Sequence, residues 1–225
     1  ELVNKYFGAI PPGPPLPRIA TWIPKLDRDI RDEMEDHVPQ ARIYRSYHAP
    51  AWKDPELQHL GLFGDVLTGS RASALPRRLV YEKGLATAAN SYVRDGELGS
   101  TFNIVVTVKP GVDPAEVERE MDAVLNALIE SGPALEPVRR SQTGNLAGFS
   151  RSIERLGGFG GRSDLLAEHM TYAGQPDAYL DRLEAMATAT PAQVKAAAQK
   201  WLRAHHYTMT VRPFAKLAAD KSALD

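Results

Sequence analysis

The 225-residue chain contains no cysteine. That excludes a disulfide framework, a thiolate zinc site and a cysteine nucleophile together. No run approaches the ~20 consecutive apolar residues of a membrane-spanning helix. Charge of one sign is missing too: 27 Lys plus Arg stand against 28 Asp plus Glu, a formal net charge of −1. Nucleic acid, which calls for a clustered basic excess, is therefore not an expected partner. No two of the six histidines are four residues apart, so no helix presents the paired imidazoles of the zinc-peptidase motifs. The nucleophile pattern G-x-S-x-G is absent. What remains is an ordinary globular composition, 43% hydrophobic and 24% charged. A chain of this length can bury roughly 70% of its unfolded surface without a covalent or metal staple.

The opening residues Glu1-Leu2-Val3-Asn4-Lys5-Tyr6-Phe7-Gly8 read as the end of a helix, and the chain is expected to be a piece of a longer protein. No signal peptide is visible, which for a fragment carries little weight. Residues 11–17, Pro-Pro-Gly-Pro-Pro-Leu-Pro, form a stiff polyproline-like connector. Residues 27–36 carry six acidic side chains and read as solvated linker plus an entry strand. The expected division is residues 1–40 as the end of a preceding domain and its linker, 41–214 as a compact domain, and 215–225 as a tail.

Within 41–214 the elements follow from patterning. Ile43 to His48 is strand-like. Asp54-Pro55-Glu56 starts a helix carrying Leu57, Leu60, Phe63, Val66 and Leu67 at helical spacing. A second helix, about 71–83, stops at Gly84. A hairpin follows, with arms near 85–93 and 101–108, and its return arm sets Phe102, Ile104, Val106 and Val108 on one face. Asp113-Pro114-Ala115-Glu116 opens a helix with Val117, Met121, Val124, Leu125 and Leu128 as its buried stripe. Residues 137–187 are helical, broken by Gly157-Gly158-Phe159-Gly160-Gly161 and Gly174-Gln175-Pro176. Thr190-Pro191-Ala192-Gln193 starts another helix, and Tyr207, Met209 and Val211 alternate in a last strand. Strands grouped apart from helices predict an α+β fold, an antiparallel sheet with helices packed on one face.

Few residues carry chemistry. Leu165-Leu166-Ala167-Glu168-His169 approaches H-x-x-E-H, but Leu occupies the first ligand position. His205-His206 joins a helix to a strand and reads as helix-end complementarity rather than a metal site. The glycine run at 157–161 lacks G-K-[ST] and reads as a break between helices, with Ser163 or Asp164 capping the next one. No catalytic residue and no metal ligand is assigned, and the chain alone is expected to be inactive.

One segment is more specific. Leu79-Val80-Tyr81-Glu82-Lys83-Gly84-Leu85-Ala86-Thr87 resembles the L-x-R-E-K-G-L-A-Y signature in the C-terminal half of the insulinase/pitrilysin-type zinc peptidases, the superfamily of the mitochondrial processing peptidase. Lys5-Tyr6-Phe7-Gly8 with its proline-rich connector resembles that family's junction between two repeat domains. Thr68-Gly69-Ser70-Arg71 and Thr190-Pro191-Ala192-Gln193-Val194 before Lys200-Trp201-Leu202 agree, in the same order.

The resemblance implies a LuxS/processing-peptidase-like metallohydrolase fold and one half of a clamshell around an extended polypeptide. Zinc would belong to a partner domain bearing H-x-x-E-H, in cis or in trans, with no cofactor in this chain. A homo- or heterodimer stays open. Resemblance to bacterial members points to a periplasmic or secreted location. In active members this half supplies an Arg and a Tyr that stabilise the tetrahedral intermediate. Here Tyr81 and Thr87 stand in those places as the candidate substrate contacts. A phenol lacks the guanidinium's fixed fork, and a Thr hydroxyl is shorter than a Tyr one. Losing one such donor typically costs about 10²–10³ in rate. The alternative function is a structural or scaffolding module that keeps the fold without a proteolytic role.

Overall fold

The computed structural model describes residues 1–14, 17 and 19–214; the expected tail lies outside the described residues. Five strands form one sheet: β1 (Ile30–Asp36), β2 (Arg42–Ala49), β3 (Ala86–Arg94), β4 (Ser100–Val108) and β5 (Tyr207–Pro213). Their order is β1-β5-β2-β4-β3. β2, β3, β4 and β5 pair antiparallel, and β1 joins the edge parallel to β5.

Alternation decides which face of the sheet is covered. β4 buries Phe102, Ile104, Val106 and Val108, as its pattern predicts, and β2 turns Ile43, Arg45, Tyr47 and Ala49 the same way. Helices cover this face: α2 (Glu56–Thr68), α4 (Pro114–Ser131) and α8 (Pro191–Trp201) among them. α2 supplies Leu57, Leu60, Phe63 and Leu67 to the core, and α4 supplies Val117, Met121, Leu125 and Ile129. Val124 and Leu128 of the expected α4 stripe are only half-buried; Ile129 lies closer to the centre of the apolar arc. The helix starts are set locally. Asp54 accepts from the Glu56 N–H at 2.9 Å and Asp113 from the Ala115 N–H at 3.1 Å. Thr190 and Gln193 close a reciprocal capping box at the start of α8.

The structure bears out some of these expectations and departs from others. The acidic stretch, read as solvated linker plus an entry strand, supplies that strand as β1, every residue of which is exposed. The single helix expected over 71–83 is a short α3 (Ala74–Pro76) running into a π-helical turn, Arg77–Glu82. The long helical block is α5 (Leu135–Ser152), α6 (Arg162–Ala173) and α7 (Tyr179–Ala187). α6 begins at Arg162, ahead of both expected caps, and Asp164 instead accepts from the Gly160 N–H at 2.8 Å. Finally, β5 is inverted: Thr208 and Thr210 face the helices, and Tyr207, Met209 and Val211 lie on the other side.

The inversion of β5 follows from a buried charge. Arg45, 2% exposed on the covered face of β2, donates from Nε to the Thr208 hydroxyl at 3.2 Å. It also donates to Glu118 and Asp122 on α4. Glu118 accepts a second guanidinium, Arg31 of β1, at 2.6 and 2.7 Å. A buried guanidinium must be hydrogen-bonded and neutralised, so polar threonines on β5 belong beside it. Burial alone would raise the Glu118 carboxyl, but the hydrogen bond from Arg31 and the charge of Arg45 outweigh it and hold the group below its ordinary range.

Removing this carboxylate strands Arg45, so Glu118→Ala is expected to cost about 3 kcal/mol at pH 7, read as a lower urea midpoint. The folded carboxyl titrates low, so its contribution is complete above the ordinary glutamate value of about 4.3 and is lost as pH falls through the folded value. Urea midpoints between pH 7 and pH 3 should therefore fall less steeply for Glu118→Gln than for the parent.

Candidate substrate-contact site

The two candidate contacts sit on either side of an irregular junction. Tyr81 lies on the π-helical turn and is 56% exposed. The turn ends at Lys83, and Gly84 then adopts φ +60°. This left-handed conformation is one that a β-carbon disfavours. The Leu85 N–H donates back to the Leu79 carbonyl at 2.8 Å, and the Lys109 N–H to the Leu85 carbonyl at 3.0 Å. These bonds tie the turn to the base of the β3–β4 hairpin. Two residues later the ladder steps from Ala86–Val108 to Ala88–Thr107, leaving Thr87 as the extra residue of a β-bulge. Thr87 is exposed, and its hydroxyl lies 3.2 Å from Gln40 Oε1.

A π-turn and a bulge each re-aim side chains, and both recur near functional sites. Here they occur within a dozen residues and bracket the segment that the sequence singled out. Tyr81 and Thr87 are thus presented to solvent, although the Thr87 hydroxyl is directed to Gln40 rather than to Tyr81.

The surrounding charge is spoken for. Arg78 Nε binds Glu120 at 3.1 Å, Lys83 Nζ binds the same carboxylate at 2.5 Å, and Arg77 lies 3.4 Å from Glu82. The Lys83 hydrogen bond is the main reason the Glu120 carboxyl titrates below its ordinary range. The turn therefore offers no unpaired guanidinium to stand in for the Arg that Tyr81 replaces.

The other sequence candidates are structural. Glu168 accepts from the Trp52 indole at 3.0 Å. His169 is buried with its ring 4.8 Å from Trp52, and its Nδ1 lies 2.7 Å from the Leu165 carbonyl, which makes Nδ1 the protonated nitrogen. Arg182 of α7 stacks over the Trp52 ring at 4.4 Å. Glu168 and His169 thus fasten α6 to the body of the domain. His205 lies 3.1 Å from Asp29, whose carboxylate also accepts from the His206 N–H. Burial would raise Asp29, but these hydrogen bonds hold it low. The glycine run separates α5 from α6, as expected, and exposes Phe159. Among the described residues no group of three or more His, Asp or Glu is placed to hold a metal ion. The donors present do not fit zinc.

Sequence reasoning missed the Arg45 cluster. The available signal was one Arg on the buried parity of Ile43, Tyr47 and Ala49.

Residues 1–145 match the family model described as the peptidase M16 inactive domain. The chain belongs to that family, as the 79–87 segment implied. Solved structures agree in fold. A protease from Helicobacter pylori superposes with a TM-score of 0.80 at 18% identity, covering 94% of this chain and 51% of that one. A peptidase M16 inactive domain from Pseudomonas fluorescens gives 0.73 at 20% identity, covering 92% and 49%. The periplasmic protease PqqL from Escherichia coli gives 0.71 at 14% identity, covering 94% and 23%. The chain therefore spans about half the length of the first two. No curated protein matches it.

The junction's geometry is testable. At Gly84 an added β-carbon would meet only Lys109 Nζ, at 3.8 Å, so the cost of Gly84→Ala is one of backbone conformation, about 1–2 kcal/mol. Gly61, inside α2 with open space around it, should gain up to about 1 kcal/mol as Ala. Thermal unfolding of the two variants should shift in opposite directions.

Proposed function

We propose that this chain is the non-catalytic half of a zinc metalloendopeptidase and encloses an extended polypeptide against a partner domain bearing H-x-x-E-H. The match over residues 1–145 to the peptidase M16 inactive domain carries this reading. Two further observations support it. The candidate metal donors of this chain are engaged in structural contacts. The chain also spans about half of its first two structural neighbours. Residues 1–40 then serve as the end of the catalytic half and the connector, from which the sheet borrows β1. A periplasmic or secreted location draws support from the periplasmic neighbour.

Catalytic zinc and its water belong to the partner. This half contributes shape, exclusion of solvent and contacts to the substrate backbone. The two edges of the sheet differ in the way that role requires. β1 carries Asp32, Glu33, Glu35 and Asp36, and such charge blunts backbone pairing at an edge. β3 carries a single charged residue, Arg94, and its outer edge is the one on which an extended substrate adds as a further strand. Tyr81 and Thr87 lie at the start of that edge and contact the substrate there.

Mixing the purified chain with a zinc-loaded H-x-x-E-H domain should raise cleavage of a fluorogenic peptide about tenfold or more over that domain alone. Equal rates with and without the chain overturn the proposal. Tyr81→Ala should forfeit about tenfold of the gain, the worth of one contact of ~1.4 kcal/mol, while leaving the thermal midpoint of the chain unchanged.

A further inference from the structure

The connector enters the sheet through two backbone bonds to one residue. His206, which immediately precedes β5, accepts from the Ile30 N–H at 3.0 Å through its carbonyl. Its own N–H donates to the Asp29 carboxylate at 3.1 Å. His205 Nδ1 lies 3.1 Å from the same carboxylate oxygen, and His206 Nδ1 lies 3.4 Å from it. Past this clasp, β1 buries no residue of its own. Its charged side chains reach Glu118 through Arg31 and Arg212 through Glu33. A strand fastened by backbone and ionic bonds without apolar burial belongs to the low-stability end of a fold.

The ring of His206 sits where a proton is unwelcome. Its side chain is 19% exposed, and its ring centroid lies 5.0 Å from that of Tyr47 on β2. Burial and the charge of Arg45 hold its value below the ordinary histidine range, against the pull of Asp29, Asp122 and Glu118. The groups facing it keep their charge state through mildly acidic pH. Asp29 and Glu118 titrate below their ordinary ranges, Arg45 stays charged, and burial pushes the Tyr47 phenol up to about 12. Asp122 is bonded to Arg45, and Glu130 is paired with Arg203 across the groove. The neutral ring therefore stabilises the clasp fully above about pH 6.5, and that contribution is lost as pH falls through the lower folded value. A protonated ring adds a like charge beside Arg45. It can escape by turning into the open groove of about 810 Å³ between α4 and the turn before β5. Such a turn displaces the N–H and carbonyl of the same residue from Asp29 and Ile30.

We propose that His206 is a proton-operated clasp: with a neutral ring it pins the connector and β1 to β5, and protonation in mildly acidic solution releases them while the rest of the sheet stays folded. The proposal rests on the reading of residues 1–40 as the connector from a catalytic half, and it makes the hold on that connector depend on pH.

The test is hydrogen exchange of the whole chain followed by mass spectrometry, with protection corrected for the intrinsic effect of pH on exchange. Between pH 7.5 and pH 5.0, protection over residues 28–36 should fall about tenfold or more, while β2 and β4 keep theirs. His206→Phe keeps a ring against Tyr47 but takes no proton, and should hold the protection of β1 constant across that range. His206→Gln should do the same without the ring. Asp29→Ala removes the acceptor of the His206 N–H and should leave residues 28–36 poorly protected at both pH values. Circular dichroism checks the fold of each variant. Equal protection of the parent at the two pH values overturns the proposal, as does a fall shared by β2 and β4, or one that persists in both His206 variants. A fall abolished by His205→Asn but by neither His206 variant also overturns it, because the other imidazole on Asp29 would then be the switch. Cleavage with the zinc-loaded H-x-x-E-H domain at pH 7.5, where the clasp is closed, tests the enclosing role separately. A gain in cleavage without acid release removes the clasp alone; acid release without a gain removes the enclosing role and leaves the clasp standing.

Discussion

A guanidinium buried between a sheet and a helix must be surrounded by acceptors, and Arg45 orders three strands and one helix for that reason. Its donors reach Glu118 and Asp122 on α4 and Thr208 on β5. Glu118 in turn draws in Arg31 from β1. Left unpaired, such a charge would cost several kcal/mol, so the partners are held far more strongly than exposed ion pairs of the same kind. Two features of the sheet follow. β1, exposed along its whole length, is joined by backbone bonds and this ion pair rather than by apolar burial. β5 turns its threonines inward, which leaves its apolar residues on the opposite face.

The same economy governs the residues that first looked chemical. Glu168 and His169 hold α6 through Trp52, and Arg182 of α7 lies over the same indole. α6 buries little else, His169 being the buried residue of that helix. Glu168 and His169 therefore act as a fastening between a peripheral helix and the core.

Local signals were legible where one residue or one short pattern decides the outcome. The cap at Asp54, the capping box at Thr190 and Gln193, and the alternation of β4 all stand where the residues place them. The family signature at 79–87 was legible in the same way. Its local geometry was not. A π-turn and an α-turn use the same residues and differ by one step in hydrogen bonding, and here the Lys83 N–H reaches back five residues to the Arg78 carbonyl. The acidic stretch read as solvent-facing, which it is; its pairing with β5 depends on a partner strand some 180 residues away in the chain.

The sequence by itself determined the starts of α4 and α8, the hairpin and the α+β class, because each rests on side-chain type and short-range spacing. Only the tertiary structure decided that β1 belongs to the sheet and that β5 faces its threonines inward. Those outcomes turn on where a single buried positive charge finds its acceptors, and that choice exists only once distant strands lie side by side.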